Sequence, residues 1–225
     1  MNKYMGFYEL KSLNIPTVPW KLFSTDTELD PQMLWTVRVA TAAGNDLHLP
    51  RAVGVDAKEA LIKGREFAEE FYNKGMVIYY PYFIAQKSGV LDMNSERTVI
   101  EAVDKDLWNL VTYGRKNVSV IVSADNFQSM DALLRVHTDG SANSSSGACN
   151  SLSLCFSGDE TFLLPGELKE LLRYGSVIRG RFRDEINEGG SILAEWSYAF
   201  STDISHRPVG DRYLVFYELR GIPAL

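Results

Sequence analysis

Two glutamates stand inside otherwise apolar stretches near the end of the chain, and their setting is the first sign of chemistry. Glu195 lies in Ser-Ile-Leu-Ala-Glu-Trp-Ser-Tyr-Ala-Phe (191–200), and Glu218 lies in Tyr-Leu-Val-Phe-Tyr-Glu-Leu-Arg (213–220). Both stretches read as β-strands, and Pro208, Gly210 and Asp211 between them are turn formers. Strand alternation sets Ile192, Ala194, Trp196, Tyr198 and Phe200 on one face, with Glu195 on the other beside Leu193 and Ser197. It sets Glu218 and Arg220 on one face with Leu214 and Phe216. An acid in an apolar strand is costly unless it is paired or metal-bound. Two such acids on paired strands could hold one divalent cation, with Arg220 two residues on to meet an anion. The same residue types also allow a plainer arrangement, an internal Glu–Arg ion pair and one edge-strand glutamate.

The elements that must position these groups can be read along the chain. Pro16 and Pro19 fix an extended segment after the first apolar stretch. Leu-Trp-Thr-Val-Arg-Val-Ala (34–40) reads as a buried strand with Arg38 inside it, and a loop runs from Thr41 to Arg51. Asp56 caps a helix, Glu59 completes a capping-box-like start, and Ala60, Leu61, Gly64, Phe67, Ala68 and Phe71 share its apolar face. Asn73-Lys74-Gly75 is its stop. Met76 to Ala85 is aromatic and β-forming, with Pro81 marking an edge or a bend. Ser88–Leu91, Thr98–Val103 and Val118–Val122 continue the strands. Ser141 to Ser153 is a Ser/Asn/Gly-rich loop, either solvated or able to cradle phosphate, and a helix follows Pro165.

Composition narrows the classes. The chain has 225 residues, 45% hydrophobic and 23% charged, which is ordinary for a globular protein and enough for one two-lobed domain. A net charge of −6 speaks against a dedicated nucleic-acid binder. No apolar run would span a bilayer, no signal-peptide core is visible, and the expected location is the cytoplasm. Cys149 and Cys155 make neither a disulfide framework nor a metal quartet, so a reducing compartment is expected. His48, His137 and His206 read as structural or solvated.

Several stretches, taken in order, resemble the nucleotide-binding part of phosphoenolpyruvate synthase and pyruvate phosphate dikinase, which has the ATP-grasp fold. Lys3, Ile15-Pro16 and Val18-Pro19-Trp20 are similar to the family's opening Gly-Lys segment and Leu-Pro-Val-Pro-Pro-Gly-Phe-like turn. Trp35-Thr36-Val37-Arg38-Val39-Ala40-Thr41 and Asp46-Leu47-His48-Leu49-Pro50 resemble its Trp-Ala-Val-Arg-Ser-Ser-Ala-Thr-like strand and acidic loop. Ile78 to Ala85 with Ser88-Gly89-Val90, then Ile100-Glu101-Ala102-Val103, look like its next strands. Leu193-Ala194-Glu195-Trp196 and Glu218-Leu219-Arg220-Gly221 are similar to its Asp-Ile-Glu-Trp and Gln-Ala-Arg-Pro strands. The departures are Asn2 for the glycine before the lysine, Val39 and Ala40 for two serines, Leu193 for Asp, and Glu218 for Gln. No histidine sits in the family's phosphohistidine motif.

The resemblance implies an α/β (α+β) fold of ATP-grasp type, spanning 1–225 as a single domain. An N-terminal lobe would run to about residue 72 and a C-terminal lobe from about 73. Both would carry mostly antiparallel sheets, with the nucleotide cleft between them. It implies ATP and Mg²⁺ as cofactors. Lys3, Arg38 and Arg220 would grip phosphate oxygens, the two arginines as the catalytic pair. Glu101 would face the nucleotide or its ribose, and Glu195 and Glu218 would bind the metal. The Met76–Phe83 strand would line the adenine slot. The expected activity is an ATP- and Mg²⁺-dependent phosphotransferase or ligase whose acceptor is a separate small molecule or protein. Alternatives are a nucleotide-binding or regulatory protein without turnover, and a structural subunit. No membrane or nucleic-acid partner is expected.

Overall fold

The computed structural model describes residues 1–43, 49–123 and 154–223. His48, His137, Cys149, the acidic loop through Asp46 and the 141–153 loop lie outside them. The fold is mixed α/β with antiparallel sheets. It divides into two compact units, Met1–Gln86 with Trp196–Arg220, and Lys87–Glu195 with Gly221–Leu225. The lobe boundary expected near residue 72 falls inside the first unit. Among the described residues no helix is long and apolar enough to cross a membrane.

The first unit is built on a four-stranded sheet in the order β1-β4-β2-β3, where β1 is Lys21–Leu22, β2 Trp35–Thr41, β3 Arg51–Val55 and β4 Gly75–Pro81. β2 sits in the middle and pairs antiparallel on both sides, so its alternation writes two different faces. Trp35, Val37 and Val39 join Val77 and Tyr79 on one face, against Ala57, Ala60 and Phe67 of helix α2 (Ala57–Glu70). The Asp56 carboxylate accepts from the Glu59 N–H and caps α2 as expected. Thr36, Arg38 and Ala40 take the opposite face with Ile78 and Tyr80 of β4.

Helix α1 (Lys3–Ser12) buries Gly6, Phe7 and Leu10. The sequence reading gave this segment no helix, because Gly6 weakens it and few residues mark an apolar face. The glycine has a packing reason. A Cβ there would lie 1.8 Å from the Leu219 carbonyl oxygen, so α1 rides directly on the backbone of β10 (Pro208–Ile222). β10 neighbours β9 (Ser191–Thr202). Their turn is Asp203–Arg207, not Pro208–Asp211 as read from the sequence. The Asp203 carboxylate accepts from the backbone N–H groups of Ser205 and Arg207 and closes the turn early. Pro208 then fits the first position of a strand.

The second unit is a meander of β5 (Phe83–Met93, from Lys87 on), β6 (Arg97–Asp104), β7 (Val118–Ser123) and β8 (Cys155–Gly158), all antiparallel. Its inner face aligns Leu91, Ile100 and Val120. Helix α4 (Pro165–Arg181) covers that face, with Gly175 set against Leu91 and Met93. The short helices α3 (Trp108–Val111) and α5 (Arg183–Asn187) complete the unit. Cys155 is disulfide-bonded, which differs from the reducing environment expected from two cysteines that make no disulfide framework.

Candidate functional site

The mixed face of the first sheet is where charge collects. Arg38 is on it because β2 alternates, and it is half-covered by the Phe7 ring of α1, 5.4 Å from the guanidinium carbon. Glu218 arrives from β10, only 2% exposed, and Lys3 arrives from the first turn of α1. Arg38 Nη2 donates to Glu218 Oε2 at 2.5 Å, and Lys3 Nζ lies 3.0 Å from Oε1. The Lys3 contact is an ion pair whose alignment falls short of a hydrogen bond, since Oε1 has no hydrogen-bond partner. One carboxylate therefore faces two cations, at 15% and 13% exposure.

The electrostatics follow from that count. Burial pushes the Glu218 carboxyl upward, but the Arg38 and Lys3 charges more than offset it and hold it below its usual range. Burial raises the Tyr80 phenol, and Arg38 beside it pulls part of the way back. Arg38 also stands directly opposite Arg51 in the β2–β3 register. Like charges directly opposite on paired strands repel. Two positions beyond Glu218, half-buried Arg220 shares its strand face, and its Nε has no hydrogen-bond partner. Among the described contacts, Lys3 and Arg38 thus share one carboxylate on this face.

Of the six residues singled out in the sequence, the structure brings Lys3, Arg38 and Glu218 into contact and sets Arg220 beside them on β10. The arrangement contains the internal Glu–Arg ion pair that the residue types allowed, with Lys3 as a third member. Glu101 lies in the second unit, where it accepts from Lys116 Nζ at 2.6 Å. Glu195 is half-buried on β9 in the second unit. Among the described residues no group of three or more His, Cys, Asp or Glu is placed to hold a metal. Arg51 and Tyr80 were missed as members of the site. Arg51 read as the end of a loop, and its strand is short and alternates exposed with buried. Tyr80 read as one aromatic among several.

No family model matches the chain, and no curated protein matches it in sequence. Solved structures do match. One is described as the dinucleotide forming acetyl-coenzyme A synthetase 1 of Ca. Korarchaeum cryptofilum, in complex with coenzyme A, Ca-AMPCP and HgCl+. It is 9% identical, with a TM-score of 0.53 over 99% of this chain and 93% of that one. The likeness is one of fold. ACD1 of the same organism, in complex with coenzyme A, is 12% identical, with a TM-score of 0.48 over 99% of this chain and 92% of that one. Neither is a phosphoenolpyruvate synthase or a pyruvate phosphate dikinase.

Proposed function

We propose that this chain is an ATP-grasp-type domain that binds ATP with Mg²⁺ and serves a phosphotransferase or ligase reaction with a separate acceptor. The observation that carries the reading is the convergence of Lys3 and Arg38 on Glu218, with a buried Arg220 Nε that no group among the described residues satisfies. An orphaned guanidinium donor beside two more cations suits phosphate oxygens. The fold is shared with an enzyme whose structure holds Ca-AMPCP, a nucleotide analogue.

In this reading Lys3, Arg38 and Arg220 hold and orient the phosphates. The Arg38 fork lies over the Phe7 ring. Glu218 and Glu195, each considered within its own unit, are the carboxylates proposed for a hard cation. Mg²⁺ would neutralise charge on the phosphates. Glu101, in the second unit, is proposed on its own as a residue that faces a nucleotide or its ribose. Binding without turnover is a second reading, favoured by one observation. Val39 and Ala40 are buried and apolar where the resembling family places hydroxyls.

A thermal-shift series with ATP and AMP, with and without Mg²⁺, tests the reading. Ligand at about 100 times its dissociation constant should stabilise the fold by about 2.7 kcal/mol. ATP should exceed AMP. No shift with any nucleotide in either condition refutes the proposal. Release of phosphate from ATP in the presence of candidate acceptors separates turnover from binding alone.

A further inference from the structure

Three tyrosines fall within four positions of the chain, and the fold sends them to three places. Tyr79 joins the face packed against α2, beside Phe23 and Trp35. Tyr82 meets the His206 ring. Tyr80 points to the Arg38 face because β4 alternates, standing opposite Thr36 while Arg38 stands opposite Ile78. It is 4% exposed, and its ring lies nearly parallel to that of Phe83, 6.5 Å away and tilted by 18°. Phe83 lies in turn against Tyr217 of β10. A ring this buried keeps one rotamer, so its phenol oxygen is a fixed point.

A phenol is a costly choice at such a position, where phenylalanine would fill nearly the same volume and leave no polar atom to satisfy. The oxygen has a use, since it accepts a hydrogen bond from the Arg38 guanidinium. Arg38 also donates through Nη2 to Glu218 and lies over the Phe7 ring. One hydrogen bond lets a guanidinium pivot about the contact, and a second one sets its plane. A planar fork serves an anion best when that plane is set beforehand, because ordering it on binding costs affinity. Burial keeps the phenol protonated against the pull of Arg38. It therefore orients the cation without adding a second negative charge to repel a ligand. We propose that Tyr80 is a positioning residue of the anion site, whose phenol oxygen sets the plane of the Arg38 guanidinium for phosphate. The inference rests on the phosphate-binding reading and deepens it by naming the group that orients Arg38.

The test is a double-mutant cycle of Tyr80→Phe and Arg38→Ala. It is read by isothermal titration of the whole chain with ATP, and separately with inorganic pyrophosphate, both in Mg²⁺. Alone, Tyr80→Phe should weaken both ligands by about 3- to 10-fold, the worth of one hydrogen bond. Added to Arg38→Ala, the same change should alter them less than about twofold, because the group it positions is gone. Unchanged affinity of Tyr80→Phe overturns the inference. Equal weakening with and without Arg38 also overturns it, since lost packing or a lost direct contact with the ligand would act in both backgrounds. Should Arg38→Ala fail to fold, Arg38→Gln closes the cycle, because its amide can donate to Glu218 in place of the guanidinium. If ATP fails to bind while pyrophosphate follows the cycle, the nucleotide reading falls and the role of Tyr80 stands. If neither ligand binds the wild type, both fall.

Discussion

Glu167 in the second unit and Glu218 in the first are both nearly inaccessible glutamates, at 4% and 2% exposure. Among the described contacts Glu167 receives one cation. Lys87 Nζ lies 2.7 Å from its Oε2, and the same ammonium donates to the Phe162 carbonyl oxygen. The Leu164 N–H also donates to that carboxylate, which ties it to the first turn of α4. Among the described contacts the group joins one acid, one base and the backbone of a helix start. Glu218 receives two cations, with Arg51 opposite one of them and Arg220 two positions on along the strand. Among the described contacts the Glu167 pair is balanced and fixes a helix onto a strand, whereas Glu218 faces more than one cation. Burial alone does not separate the two, and their described partners do.

Breaking the balanced pair should have the largest effect on folding. Lys87→Met strands Glu167 and should cost about 3–5 kcal/mol in denaturant unfolding of the free protein. Nucleotide affinity of the folded fraction should stay within about twofold. A smaller folding cost for Lys87→Met than for Arg38→Ala would undo the contrast.

Arg38→Ala should divide its effect. Lys3 still faces Glu218, so the folding cost should be about 1–3 kcal/mol. ATP in Mg²⁺ should weaken by about 10- to 100-fold. Arg38→Lys keeps the charge but loses the fork, and should recover stability more than affinity. A large loss of stability with unchanged affinity would remove Arg38 from the phosphate site.

How much of this was legible beforehand depended on distance along the chain. Asp56 and Glu59 announced α2 because a cap is a local signal. Arg38 and Glu218 announced themselves because a charge inside an apolar strand demands a partner. What each partner would be was not legible, since Arg38 and Glu218 are separated by 180 positions. The residue types fit a shared metal and an ion pair equally well. Lys87 and Glu167 stayed hidden for the same reason, being 80 positions apart. β3 and α1 were missed because each is short and interrupted by a glycine, Gly54 at a positive φ where the β2–β3 register shifts and Gly6 against the Leu219 backbone.

The smallest effect is one of pH. The Glu218 carboxyl is held below its ordinary value in the folded protein. Its contribution to stability is thus full above the unfolded value of about 4.3 and is lost as pH falls through the folded value. Denaturant midpoints of wild type and Glu218→Gln should differ at pH 6 and converge in acid. A gap that widens on acidification contradicts the ion-pair geometry.

The first unit is assembled from two separate stretches, Met1–Gln86 and Trp196–Arg220, while residues 87–195 belong to the other unit. Arg38 and Glu218 stand 180 positions apart, so their contact closes a long loop and carries its entropic cost. Contacts of such separation form slowly. Until β10 docks, Lys3 and Arg38 stand without the Glu218 carboxylate, and the mixed face of the sheet lacks the strand that carries it.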